Sequence, residues 1–145
     1  MSTERFRPYS AVYLILIRDG KILLARRFNT GWCDGSYSLI AGHLDGGETV
    51  TDAMIRGAKE EGGIVIAPED LQVVHTMHRN SEDREYIDFY LVAKQWKGEP
   101  KVMEPDKCDD LEWFPLDDLP ENTVPCVRDA LLAYRSGATF SEWGW

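Results

Sequence analysis

Residues 42–64 read Gly42-His43-Leu44-Asp45-Gly46-Gly47-Glu48-Thr49-Val50-Thr51-Asp52-Ala53-Met54-Ile55-Arg56-Gly57-Ala58-Lys59-Glu60-Glu61-Gly62-Gly63-Ile64, and this stretch decides the fold. A glycine loop carrying one carboxylate, Glu48, runs into a segment carrying Arg56, Glu60 and Glu61. Thr49 followed three residues on by Asp52 gives a capping-box pattern, so the helix starts at Thr49 or Thr51. Val50, Ala53, Met54 and Ala58 give it an apolar side, and Gly62-Gly63 ends it as a glycine C-cap does. Glu60 and Glu61 are about 100° apart on such a helix, so both can reach one cation cluster from neighbouring directions. Hard divalent cations are held by carboxylates and carbonyls on a loop–helix junction of this kind.

Outward from this segment, two apolar runs flank Asp19-Gly20: Ser10 to Arg18, and Lys21 to Arg26. They read as a β-hairpin. A polar loop spans residues 27 to 36, and Tyr37 to Ile40 is a short strand leading into the glycine loop. Leu71 to His78 and Tyr86 to Trp96 read as strands joined through Arg79 to Glu85, and Leu111 to Phe114 as a short strand. Residues 115–120 read as a turn, and Val124 to Tyr134 as an amphipathic helix with Val127, Ala130, Leu131 and Tyr134 at helical spacing. The tail from Ser136 to Trp145 has no clear pattern. Strands alternating with two helices define an α/β fold. No linker, repeat or low-complexity run divides the chain, so residues 1–145 are expected to form a single domain.

The net charge of −9 excludes a protein that wraps a nucleic-acid polymer and disfavours an anionic membrane surface. A small phosphorylated ligand is compatible with it if cations stand between ligand and acids. An apolar fraction of 43% supports a packed core. Cys33, Cys108 and Cys126 have no C-x-x-C spacing and are expected to be reduced thiols. Residues 1–10 lack the apolar core of a secretory signal, and no run approaches a membrane span. A soluble, cytoplasmic protein is expected; its oligomeric state stays open.

The segment resembles the signature of the Nudix (MutT-like) hydrolases, G-x5-E-x7-R-E-U-x-E-E-x-G-U with U a bulky aliphatic. Gly42, Glu48, Arg56, Glu60, Glu61, Gly63 and Ile64 are in register. Ala58 is a weak version of the first aliphatic, and Gly57 stands where the family has a glutamate. The resemblance implies the Nudix fold, a mixed β-sheet sandwiched between α-helices, and Mg2+-dependent hydrolysis (Mn2+ in its place) of a nucleoside di- or triphosphate or a nucleoside diphosphate linked to another group X. It implies metal ligands at Glu60, Glu61 and the Ala41 carbonyl, with Glu48 and Arg56 pairing to fasten loop to helix. The stretch from Trp96 to Glu104 resembles the W-x-G-E-P segment of MutT-type enzymes, and places Glu104 near the metal as a ligand or base that replaces the carboxylate missing at Gly57. Glu82, Asp83 and Glu85 are weaker replacements.

The same resemblance gives Asn122 a purine edge to read; its other reading is an N-cap for the last helix. Arg26 and Arg27 are placed to meet a phosphate or base, Asp109 and Asp110 a protonated or enol base. Trp32, Tyr37 and His43 can stack on a base, Tyr37 being the one better suited to core packing. His75 and His78, three apart on a strand, point to opposite faces and make no metal pair. A second function stays open: a catalytically weak nucleotide-binding or sensing domain, to which the loss at Gly57 points.

Overall fold

The computed structural model describes residues 4–82 and 84–145. Strand β1 is Tyr9–Ile15, β2 Ile17–Arg18, β3 Lys21–Arg27, β4 Tyr37–Ser38 and β5 Ile40–His43. Helix α1, Val50–Gly62, follows the glycine loop. A short 3-10 turn, Pro68–Asp70, leads into β6 (Leu71–Ser81) and β7 (Arg84–Ala93), then β8 (Cys108–Pro115), α2 (Pro125–Arg135) and β9 (Phe140–Trp143).

One sheet has the order β5-β1-β7-β6-β9; a second joins β2, β3 and β4, with β8 pairing β3. β1 runs parallel to β7, and β9 parallel to β6, among otherwise antiparallel pairs. The central position of β1 explains its nearly unbroken apolar run, because a strand covered on both faces has no polar side. Val12 and Leu14 pack with Ala53, Met54 and Ala58 of α1. Tyr13 and Ile15 pack with Val127, Ala130 and Leu131 of α2. The helices therefore cover opposite faces of a mixed sheet, as expected for the α/β class. Met54 is fully buried; cutting such a side chain to alanine costs about 2–5 kcal/mol.

Several local expectations needed correction. The run from Ser10 to Arg18 is not one strand: it crosses from the first sheet to the second at Leu16, and only Ile17–Arg18 forms the hairpin with β3. Asp19 and Gly20 have φ of 54° and 75°, the left-handed pair that a tight hairpin turn requires. β6 and β7 pair as far as Ser81 and Arg84, so the connection expected over residues 79–85 shrinks to Glu82 and its neighbour; Asp83 lies outside the described residues. β8 begins at Cys108 because it follows β3 along its length, out to Arg27. The tail contains β9, a partner for β6 that no local pattern announced. For α1 the reading holds closely: Thr49 caps it, accepting from the Asp52 amide, and Gly63 closes it at φ 67°.

Candidate active site

β5 is an edge strand, and this sets the geometry of the site. Ala41 faces Tyr13 of β1, yet its amide donates to Glu61 Oε1 at 3.2 Å. Its carbonyl oxygen lies 3.6 Å from where a Cβ on Gly57 would sit. In an antiparallel pair the amide and carbonyl of one residue point the same way, so both polar groups of Ala41 point off the sheet edge toward α1.

A cavity of about 750 Å³ opens beside this junction, with Ala41, Glu61, Glu104, Arg27 and Lys107 in its wall. Burial pushes the Glu61 carboxyl up to about 7; the Ala41 amide opposes that, and the nearby Glu104 adds to it. The Arg27 charge acts on Glu61 in the lowering direction. Glu104 is held by a tight turn in which its carbonyl accepts from the amides of Lys107 and Cys108 at 2.9 and 3.0 Å.

Ser38 also lines the cavity, is 1% exposed, and its hydroxyl has no hydrogen-bond partner among the described residues. A buried hydroxyl left unpaired costs roughly 1–3 kcal/mol. Its oxygen is sealed from solvent, so the oxygen donors that the wall offers are Glu61, Glu104 and the Ala41 carbonyl, an all-oxygen set. That set suits a hard divalent cation taking a few protein ligands and filling its shell with phosphate oxygens. Among the described residues no group of three or more His, Cys, Asp or Glu side chains is assembled in advance for a metal.

Other expected site residues fall elsewhere. Glu60 is exposed, lies outside the cavity wall, and its carboxylate is 3.9 Å from Arg56 Nε. One hundred degrees of helix turn sends it to solvent while Glu61 turns inward. Arg56 pairs with Glu48, and its Nη2 donates to the His43 carbonyl at 3.0 Å, tying the glycine loop to α1. Asn122 does not line the cavity; its amide donates to the Gly35 carbonyl at 2.9 Å. Nor does it cap α2, whose N-cap is Val124. Asp109 pairs with Arg26 Nε at 2.7 Å and is likewise outside the wall. Tyr37 is buried and bonded through its hydroxyl to Asp110. Glu85 bonds His78 at 3.1 Å. His75 is buried, with one ring nitrogen on the Ala138 carbonyl and the other on Ser141.

His43, Arg27 and Trp32 do line the cavity. Trp32 is carried by a loop that Asp34 stiffens, accepting from the Thr30 and Gly31 amides at 2.9 and 3.0 Å. Arg27 Nε donates to the Trp32 carbonyl at 2.6 Å, and its guanidinium lies 4.9 Å from the indole centroid. Sequence reasoning passed over Ser38, Arg79, Arg84, Tyr86 and Lys107, which complete much of the wall. The wall carries Arg26, Arg27, Arg79, Arg84 and Lys107 against Glu61, Glu82 and Glu104. Arg26 and Arg79 are paired with Asp109 and Asp88, yet with Arg27 and Lys107 also in the wall an anion meets protein cations directly and not only through metal.

An edge-strand glycine loop, a helix with an inward glutamate and a cavity lined by cations and carboxylates are the parts of this site. The NUDIX domain model matches residues 7–134, and the chain belongs to that family. It is 30% identical over 135 residues to the NAD-capped RNA hydrolase NudC of Pseudomonas aeruginosa, covering 88% of this chain and 45% of that protein. It is 32% identical over 114 residues to the ADP-ribose pyrophosphatase of Methanocaldococcus jannaschii, covering 79% of this chain and 66% of the relative. The chain thus spans about half the length of the NudC relatives it matches. The crystal structure of a MutT NUDIX hydrolase from Burkholderia pseudomallei superposes with a TM-score of 0.80 at 30% identity, covering 88% of this chain and 98% of that one.

Proposed function

We propose that this chain hydrolyses a phosphoanhydride bond in a nucleoside di- or triphosphate, or in a nucleoside diphosphate linked to a group X, with Mg2+ as the preferred cation and Mn2+ as a substitute. The observation that carries this is the convergence of Glu61, Glu104 and Ala41 with Arg27 and Lys107 on one cavity. Ala41, Glu61 and Glu104 would hold the cation, with Glu60 at most a rim contact reached through water. When bound, the cation neutralises phosphate charge and lowers the pKa of attached water.

The protein's own groups supply the rest. Arg27 and Lys107 hold phosphate oxygens. Glu104 takes the proton of the attacking water as its oxygen bonds to phosphorus in line with the bridging P–O bond that breaks, and the other phosphate leaves with the bridging oxygen. Glu48 and Arg56 keep the glycine loop, and with it the Ala41 carbonyl, against α1. A small nucleotide, not an RNA chain, is the proposed substrate, because a net charge of −9 repels a long polyanion.

Phosphate release should be measured across a panel of nucleoside di- and triphosphates, ADP-ribose, NAD and NAD-capped RNA, with Mg2+, with Mn2+ and with chelator. Metal-dependent turnover of at least one small nucleotide is expected. Tight binding with no turnover on any of them would leave the sensing domain suggested by Gly57. Crystals soaked in Mn2+ and substrate should show anomalous density between Glu61 and the Ala41 carbonyl; density only elsewhere would overturn the ligand set.

A further inference from the structure

Arg79 and Asp88 form an ion pair buried on both sides, at 4% and 0% side-chain exposure, and hydrolysis assigns neither residue a task. Desolvation consumes most of the attraction within such a pair, so it is a poor source of stability. Its position is informative. Arg79 stands in the cavity wall, one diagonal step from Asp88 across β6 and β7, since Arg79 faces Tyr86 and Met77 faces Asp88.

Asp88 uses only part of the guanidinium. Nε donates to Oδ2 at 2.6 Å and Nη2 to Oδ1 at 3.2 Å. Nη1 makes no hydrogen bond among the described residues, and it is not among the sealed, unpartnered atoms, which are the hydroxyls of Ser38 and Tyr90. The two N–H donors of Nη1 are thus left at the wall. Rings fix their direction: the Arg79 carbon lies 4.0 Å from the Tyr86 centroid and 5.5 Å from that of Trp32. Trp32 also carries Arg27 at 4.9 Å, and Tyr86 meets His43 at 5.9 Å. The rings of His43, Tyr86 and Trp32 and the guanidinium groups of Arg79 and Arg27 form an arc, all lining the cavity. The arc starts beside Gly42 and ends at the arginine whose charge acts on Glu61.

We propose that Arg79 is a specificity-determining residue that donates to a carbonyl edge of the substrate's base, with Trp32 and Tyr86 as the aromatic sides of the base subsite. This rests on the hydrolase reading for the placement of the diphosphate at the Glu61 and Arg27 end. Asp88 already cancels the charge of Arg79, so the pair offers direction without net attraction. A second phosphate gains chiefly from net charge, and Arg27 and Lys107 supply that. A neutral ring acceptor gains from directed donors beside aromatic faces. An exocyclic amino group would instead set donors against donors, because a guanidinium has no acceptor. Glu82, the acid of the adjoining turn, also lines the cavity, but the carboxylate paired with Arg79 among the described residues is Asp88.

IDP and ADP isolate the point, since hypoxanthine carries oxygen where adenine carries the amino group. Calorimetric binding of IDP, GDP and ADP in Ca2+ buffer should show IDP and GDP about ten-fold or more tighter than ADP. In the double variant Arg79→Met/Asp88→Leu, which leaves no buried charge alone, the IDP to ADP ratio should fall to about two-fold or less, with folding checked by circular dichroism. If that variant does not fold, Arg79→Lys keeps a charge opposite Asp88, loses the forked donors and should lose the ratio too. Equal wild-type affinities, or a ratio retained in the folded variant, would overturn the proposal. An IDP preference without turnover in Mg2+ would remove only the hydrolase reading, and turnover without preference only this one.

Discussion

The Ala41 amide donates to Glu61 Oε1, and that one bond of 3.2 Å joins the free edge of β5 to the last turn of α1. It places a half-buried carboxyl against the backbone carbonyl proposed as its fellow ligand. The bond is too little to offset burial, and the Glu61 carboxyl rises to about 7.

Stability of the metal-free protein should therefore fall as pH rises through the Glu61 window. Between 4.5 and about 7 the unfolded chain has released this proton while the folded chain still holds it. The folded state binds more protons there, so stability declines with pH and levels off above about 7. The full loss is about 3 kcal/mol at most. Glu61→Gln removes this slope, so in chelator it should match wild type near pH 4 and exceed it near pH 8 in denaturant melts. A stability difference that does not change with pH contradicts the assignment.

Gly57→Glu should raise turnover. A Cβ at Gly57 meets the Ala41 carbonyl oxygen and the Met54 methyl at 3.6 Å, ordinary contact distance. The side chain would leave the helix beside the proposed ligand, and a helix-interior glycine would be removed. A rate gain of about ten-fold or more is expected, within what one base contributes. Unchanged rates in both Gly57→Glu and Glu104→Gln would mean that neither position supplies the base.

Ser38→Ala separates stability from binding. Removing a buried hydroxyl without a partner should raise the melting temperature of the unliganded protein. Because the hydroxyl is sealed from the cavity, KM should stay unchanged. A variant that melts no later than wild type, or one whose KM rises, would show that the hydroxyl has a partner.

Glu48→Gln and Glu104→Gln should differ in kind. Glu48 is tied to Arg56 and to the Asp45 amide outside the cavity wall, so its variant should melt earlier and keep much of its turnover. Glu104 lines the cavity, so its variant should lose turnover with little change in melting. Thermal melts and steady-state rates on the same samples test the division.

The parts of this molecule legible in its sequence are those written locally. Thr49, Asp52, Gly62 and Gly63 mark both ends of α1 within a few residues, and Asp19-Gly20 marks the hairpin. β9 could not be read because its partner in β6 is about 64 residues away and its own four residues have no period. Glu60 stands outside the cavity wall because adjacency in sequence is divergence on a helix. Asn122 stands outside the wall, its amide donating to the Gly35 carbonyl, a contact between loops that no local pattern shows. Arg79 and Ser38 escaped notice since neither is polar in an unusual way until the sheet buries it. Asp88, an acid between Ile87 and Phe89 in a strand, was the visible signal that a buried cation had to exist.

The gathering of arginines at the cavity of an acidic chain also shapes how a substrate arrives. At distances beyond roughly 10 Å, a nucleotide in dilute salt feels the net charge of −9 and is turned away. Only near the mouth do the guanidinium groups prevail. Encounter is then slowed from afar and favoured at contact, so added salt should first quicken association and only later weaken the complex. The protein is then a poor long-range collector of anions and a better short-range one, and the salt dependence of association reads the crossover.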